Sequence, residues 1–168
     1  MIYTADSFNK DCQVLAEQVS SYKFTHVLSI IRGGWYVTEQ LAWRCPSLES
    51  IFLIPIGISF YEGKVKQATP KVTYTAGVVF GAKDRVLIVD DLLDSGDTIK
   101  YLKNHHILKK AGDVKVAVLI KKPTSVIEPD FCVRHNVTSW VQFPWEDANG
   151  NHYSDLGVSH TGKLYAGA

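Results

Sequence analysis

The run Arg85-Val-Leu-Ile-Val89, followed without a break by Asp90-Asp91, constrains the fold of this chain more than any other segment. A near-continuous β-branched run reads as a strand buried on both faces, and such strands belong in parallel sheets covered by helices. His26-Val-Leu-Ser-Ile-Ile31 and Val114 to Ile120 are further apolar runs of strand length. Ser50 to Ile58 reads as another strand, with Pro55 arguing for an edge position or a bend. Helical patterns lie between them. Phe8, Cys12, Leu15, Ala16 and Val19 recur at helical spacing after an Asp6 cap. A helical stretch through Glu39, Leu41 and Ala42 follows Arg32-Gly33-Gly34. A helix from Thr98 to Ala111 carries Lys109 and Lys110 in its last turn and stops at Gly112. Strands alternating with helices predict an α/β fold with a central, mostly parallel sheet. Ligands in such sheets sit beyond the carboxyl ends of the strands. Chemistry is therefore expected just after Ile31, Val89 and Ile120.

The remaining composition narrows the class. At 168 residues, 46% of them hydrophobic, the chain can bury a core as one domain over 1–168. Eighteen basic against seventeen acidic side chains give a net charge of +1, so no bulk electrostatic attraction to nucleic acid or membrane is expected. Cys12, Cys45 and Cys132 are far apart and lack CxxC spacing, which predicts reduced, mostly buried thiols. His105 and His106 are adjacent, so on a helix their rings would diverge by about 100°, and no metal-ligand pattern arises. With no signal segment and no membrane-length apolar run, a soluble cytoplasmic protein without an integral membrane segment is expected. Residues 61–74 are polar, with Gly63, Pro70 and several lysines, and predict a mobile loop.

The densest chemistry follows Val89, in Asp90-Asp91-Leu92-Leu93-Asp94-Ser95-Gly96-Asp97-Thr98. Carboxylates at the end of a buried strand are costly unless they meet something cationic or hydroxylated. Ser95, Gly96 and Thr98 then open a helix, where exposed N–H groups and the dipole favour an anion. An acid pair, a small-residue turn and a helix start together describe a site for a phosphate attached to hydroxyls or a metal. Neither GxxxxGK[ST] nor GxGxxG occurs.

Val86 to Thr98, VLIVDDLLDSGDT, resembles the signature with which type I phosphoribosyltransferases bind phosphoribosyl pyrophosphate (PRPP). The resemblance implies that fold, a parallel sheet flanked by helices with a small hood for the base, contributed mainly by about 123–168. It implies that Asp94, Ser95, Gly96, Asp97 and Thr98 cradle the 5′-phosphate. Asp90 and Asp91 would hold the ribose hydroxyls, directly or through Mg²⁺. Asp94 would be the general base beside N7 of a purine. Asp97 departs from the family, whose members commonly have a small or basic residue there, and its side chain is expected to face outward. Arg32-Gly33-Gly34 resembles the pyrophosphate loop, in which relatives often carry a cis peptide, here near Ile31–Arg32. Leu119 to Pro123 resembles the strand end where 6-oxopurine enzymes place a lysine on O6. Aligning on the proline makes that residue Lys122 and leaves Lys121 an exposed neighbour. Ser139 to Asp147 looks like the region where bacterial xanthine-guanine phosphoribosyltransferases stack an aromatic on the base. That makes Trp140 the stacking ring, with main-chain groups near Val141 reading the 2-position. Ile58 to Glu62 resembles the start of a loop that closes over PRPP, to which Lys64, Lys66 or Lys71 would lend charge.

The activity so implied joins PRPP to a purine base, with Mg²⁺ as cofactor and a homodimer or homotetramer as the assembly. Orotate or adenine as acceptor stays open, as does a PRPP-sensing regulator with a nucleic-acid or protein partner. Near-neutral charge weighs against the regulator.

Overall fold

The sheet grows outward from the Arg85 strand as its composition requires. The computed structural model describes residues 1–48, 51–62, 65–74 and 77–147. Their elements in chain order are α1 (Ala5–Ser20), β1 (His26–Ile31), α2 (Gly33–Arg44), a short 3₁₀ turn (Pro46–Leu48), β2 (Phe52–Glu62), β3 (Val65–Tyr74), β4 (Arg85–Leu93), α3 (Asp97–Asn104), β5 (Asp113–Lys121) and β6 (Phe131–Arg134). The strand order is β3-β2-β1-β4-β5-β6, and every pair is parallel except β2 with β3. β4, with the most apolar run, holds a central place. This is the mostly parallel, helix-flanked sheet that the alternating strands and helices predict.

The chain divides into two compact units, Lys10–Thr138 and Met1–Asn9 with Ser139–Ala168. Within the larger unit, side chains alternate across the sheet. Leu28, Ile30, Val86, Ile88, Val116 and Val118 face one way and share a core with Ile99 and Leu102 of α3. On the other face, the buried Ser29 hydroxyl accepts from Thr38 of α2 at 2.9 Å, so the polar pair inside that layer is satisfied. A helix layer on each face explains why the strands are apolar on both. Cys12, Cys45 and Cys132 are free and buried, and burial pushes the Cys12 thiol up to about 12. In the smaller unit, Tyr3 donates its N–H to Gln142 at 2.9 Å, and Tyr3 meets Phe143 edge-on.

Several boundaries differ from the sequence reading. The N-terminal helix is capped by Thr4, whose hydroxyl accepts the Ser7 N–H at 3.2 Å, and Asp6 sits inside the first turn. α3 stops at Asn104 instead of reaching Ala111. The chain turns extended at His105 (φ −74°, ψ 147°), and the Ile107 carbonyl beyond it accepts from the Phe80 N–H at 3.0 Å. His105 and His106 therefore lie past the helix, their ring centroids 4.1 Å apart. The segment expected to be a loop at 61–74 is mostly strand: β3 pairs antiparallel with β2 from Gly57 onward. Residues 63–64 lie outside the described residues. Pro55 falls on the part of β2 that pairs with β1 but precedes the β3 pairing, which is why an internal strand tolerates it.

Candidate functional site

β4 holds its strand conformation through Asp90 and Asp91, then breaks into a turn at Asp94–Gly96 and restarts as α3 at Asp97. Ile58, Ser59 and Phe60 of β2 face this turn across a cleft lined by Asp90 and by Leu92 to Ile99. The cleft thus lies at the carboxyl end of the sheet, where the βα order places ligands.

The turn needs Gly96. Its φ is +85°, and a Cβ there would come within 2.9 Å of the Ile127 side chain and 3.0 Å of the Ser125 hydroxyl. The segment after β5 braces the same turn. Lys122 donates its N–H to Leu93 at 2.9 Å, and Val126 donates to Ser95 at 3.1 Å. Thr124 donates its hydroxyl to both the carbonyl and Oδ1 of Asp94, each at 3.1 Å. The Lys122 ammonium stands 3.5 Å from Asp94 Oδ1, and its side chain is only 14% exposed against 56% for Asp94. Two separately predicted residues, Asp94 and Lys122, are therefore neighbours.

The acid pair is electrostatically loaded. Burial, and then the neighbouring Asp91 carboxylate, raise Asp90 well above the ordinary carboxyl range. Asp90 Oδ1 accepts the Asp91 N–H at 3.0 Å, which offsets only part of this. Asp91 lies against the start of α2, where a Cβ on Gly33 would come within 2.0 Å of its carboxylate oxygen. A Cβ on Gly34 would come within 2.5 Å of the Val89 carbonyl. The two glycines thus let α2 begin directly against β4. They are helical residues, not a free loop, with Arg32 exposed at the N-cap and a cis peptide between Ile31 and Arg32.

Two expectations need correction here. Asp97 does not turn outward: it lines the cleft, and its Oδ2 accepts the Ser95 hydroxyl at 2.8 Å. Lys121 is not an exposed neighbour, since its side chain is 16% exposed and pairs with Glu128 at 2.6 Å. Trp140 and Val141 belong to the smaller unit, in which the Trp140 ring is 67% exposed and Val141 is buried. Lys71 is in β3, paired in register with Ser59, while Lys64 lies outside the described residues. Thr124 and Ser125 were missed by sequence reasoning. A Thr-Ser pair after a proline reads as an ordinary turn, and only the fold brings it under Asp94.

Among the described residues no cluster of three or more His, Cys, Asp or Glu could enclose a metal. Two crowded carboxylates do suit Mg²⁺, which binds through one or two protein acids and takes its other ligands from phosphates and water.

A mostly parallel sheet whose central strand ends in an acid pair, a small-residue turn and a helix start is an arrangement in which α/β proteins commonly hold phosphorylated ligands. Residues 1–147 match the model of the phosphoribosyl transferase domain, and the chain belongs to that family. It is similar to the xanthine-guanine phosphoribosyltransferase of Gluconobacter oxydans, with 31% identity over 150 residues that cover 86% of this chain and 83% of that protein. It is 31% identical over 126 residues to the hypoxanthine-guanine phosphoribosyltransferase of Streptococcus pyogenes, across 73% of this chain and 69% of that one. The solved purine phosphoribosyltransferase of Pyrococcus horikoshii superposes with a TM-score of 0.74 at 29% identity, over 88% of this chain and 94% of its own.

Proposed function

We propose that this protein is a Mg²⁺-dependent phosphoribosyltransferase of purine salvage that joins PRPP to N9 of a 6-oxopurine, releasing diphosphate. The observation that carries this reading is the placement of Lys122, largely sheltered just past the end of β5 and 3.5 Å from Asp94 across the β4 turn. An ammonium has only donors, so it complements a carbonyl O6 and opposes the amino group of adenine.

In this reading the 5′-phosphate rests on Ser95 to Thr98, the ribose hydroxyls on Asp90 and Asp91, and the diphosphate near Arg32 to Gly34. Asp91 and Asp90 would hold Mg²⁺, which would supply positive charge to the departing diphosphate. Arg32 adds donors to the same oxygens. The C1′–oxygen bond to diphosphate breaks as N9 bonds to C1′ with inversion. Asp94 accepts or stabilises the N7 proton. Lys122 exchanges its contact with Asp94 for O6, and Thr124 keeps a hydrogen bond on Asp94 as that contact is released. The β2–β3 hairpin closes over PRPP and excludes water. The assembly is a homodimer or homotetramer in the cytoplasm.

The test is a spectrophotometric panel of guanine, xanthine, hypoxanthine, adenine and orotate with PRPP, with and without Mg²⁺. Turnover confined to the 6-oxopurines and dependent on Mg²⁺ is expected. Preferential use of adenine or orotate, or no turnover with any base, would sink the proposal.

A further inference from the structure

The turn that should receive a phosphate already contains a carboxylate. Gly96 is the N-cap of α3 and supplies no side-chain cap hydrogen bond to the first turn. Asp97 is the first helical residue. Its Oδ2 accepts the Ser95 hydroxyl at 2.8 Å, and its own N–H lies 3.4 Å from Ser95 Oγ. Both residues line the cleft. A carboxylate in the first turn of a helix gains from the dipole for the same reason that a bound phosphate does.

We propose that Asp97 is an internal competitor of the phosphate and sets the affinity of this turn. The proposal rests on the reading of Ser95 to Thr98 as the 5′-phosphate site. In the empty protein Asp97 satisfies the Ser95 hydroxyl and complements the helix dipole, so the turn is formed before any ligand arrives. A phosphate that enters must take the Ser95 hydroxyl from Asp97 and sit beside a like charge. The turn therefore binds phosphate esters less tightly than its geometry allows. The repulsive part acts through partly exposed groups, so salt weakens it.

The test compares the wild-type protein with Asp97→Asn and Asp97→Gly. Asn keeps the shape and an acceptor for Ser95 while removing the charge; Gly removes both. Inorganic phosphate binding, by calorimetry at pH 8 and low salt, should tighten about tenfold in both variants. The gain should shrink at 0.5 M salt, where the Debye length falls to roughly 4–5 Å. KM for PRPP should fall in parallel while KM for the base stays unchanged. The melting temperature of the ligand-free Asn variant should drop slightly, as the dipole loses its partner. Unchanged or weaker phosphate binding in both variants, or none measurable in any of the three proteins, would overturn the proposal. If no base is turned over by the wild type but phosphate still tightens in the variants, the assignment of Asp97 stands and the proposed reaction falls. If purines are turned over and phosphate does not tighten, the reverse holds.

Discussion

The two ends of the same sheet treat their acids in opposite ways. At the amino ends of the strands each acid has a complementary partner. Asp113 accepts from the Tyr22 hydroxyl, Asp84 faces His26 at 3.7 Å, and Asp130 meets both Lys115 at 3.1 Å and the Val116 N–H at 2.8 Å. Asp130, and then Asp113, push the Lys115 ammonium up. At the carboxyl end of β4, although Asp94 pairs with Lys122, the acid pair is crowded: burial, and then the Asp91 carboxylate, raise Asp90. The amino ends contribute stability; the carboxyl end holds unfavourable charge that a cationic or hydroxylated ligand would relieve.

The sharpest way to break this contrast is Asp94→Asn. Turnover should fall by about 10²–10⁴ while PRPP affinity stays near wild type, because in the proposed reaction the group acts on the base. Equal losses in titration and in steady-state assays would remove Asp94 from the chemistry. Next in size is Lys122→Met, which should lower kcat/KM for guanine, xanthine and hypoxanthine by about 10–100-fold, the value of one charge-assisted hydrogen bond. Lys121→Met loses a pair to a Glu128 whose side chain is 69% exposed, so it should change kcat/KM little and stability by less than about 1 kcal/mol. Similar kinetics for the two variants would show that the O6 assignment is misplaced.

The last two outcomes are opposite in sign. Asp90 titrates higher in the folded protein than in the unfolded chain, so ionising it favours unfolding. Its contribution to stability is greatest at low pH and is lost as pH rises through the native value. Asp90→Asn should therefore raise the melting temperature at pH 8, by about 2–4 °C for a gain of ~1 kcal/mol, and the advantage should vanish on acidification. Mg²⁺ with PRPP should stabilise the wild type and not this variant. A lower melting temperature at pH 8 would mean that the acid pair is not loaded. At the other end of the sheet, Asp130→Asn should cost less than about 1 kcal/mol and leave turnover unchanged. It keeps an acceptor for Val116 while removing the charge that holds Lys115. A kinetic effect there would erase the distinction between the two ends.

How far these features were legible depends on the range of the interaction. β1, β4 and β5 follow from contiguous apolar runs, because burial on both faces leaves no alternative pattern. The acid turn followed from residues adjacent in sequence. The end of α3 did not: the chain leaves the helix at His105, and the residues just beyond it are engaged by Phe80 of a distant segment. β3 was hidden because a hairpin strand that carries Lys66, Lys71 and Pro70 has the composition of a loop. Thr124 was invisible for the same reason: its value lies in a contact with a residue thirty positions away. Asp97 was misread because repulsion from an absent phosphate was weighed, while attraction to the helix dipole and to Ser95 was not.

The adjacent glycines that open α2 carry a consequence for inheritance. A side chain at 34 would strike the backbone of Val89 and Asp90, at 2.5 and 3.0 Å, and backbone in a central strand cannot step aside. A side chain at 33 would strike the Asp91 carboxylate, which can swing away and leave the fold standing while the acid pair is dismantled. In a genetic screen that scores abundance and growth separately, changes at 34 should therefore disappear through loss of protein. Changes at 33 should leave normal amounts of protein that no longer supports growth where the phosphoribosyltransferase activity is required. Two neighbouring codons for the same amino acid should thus fail in two different ways when changed.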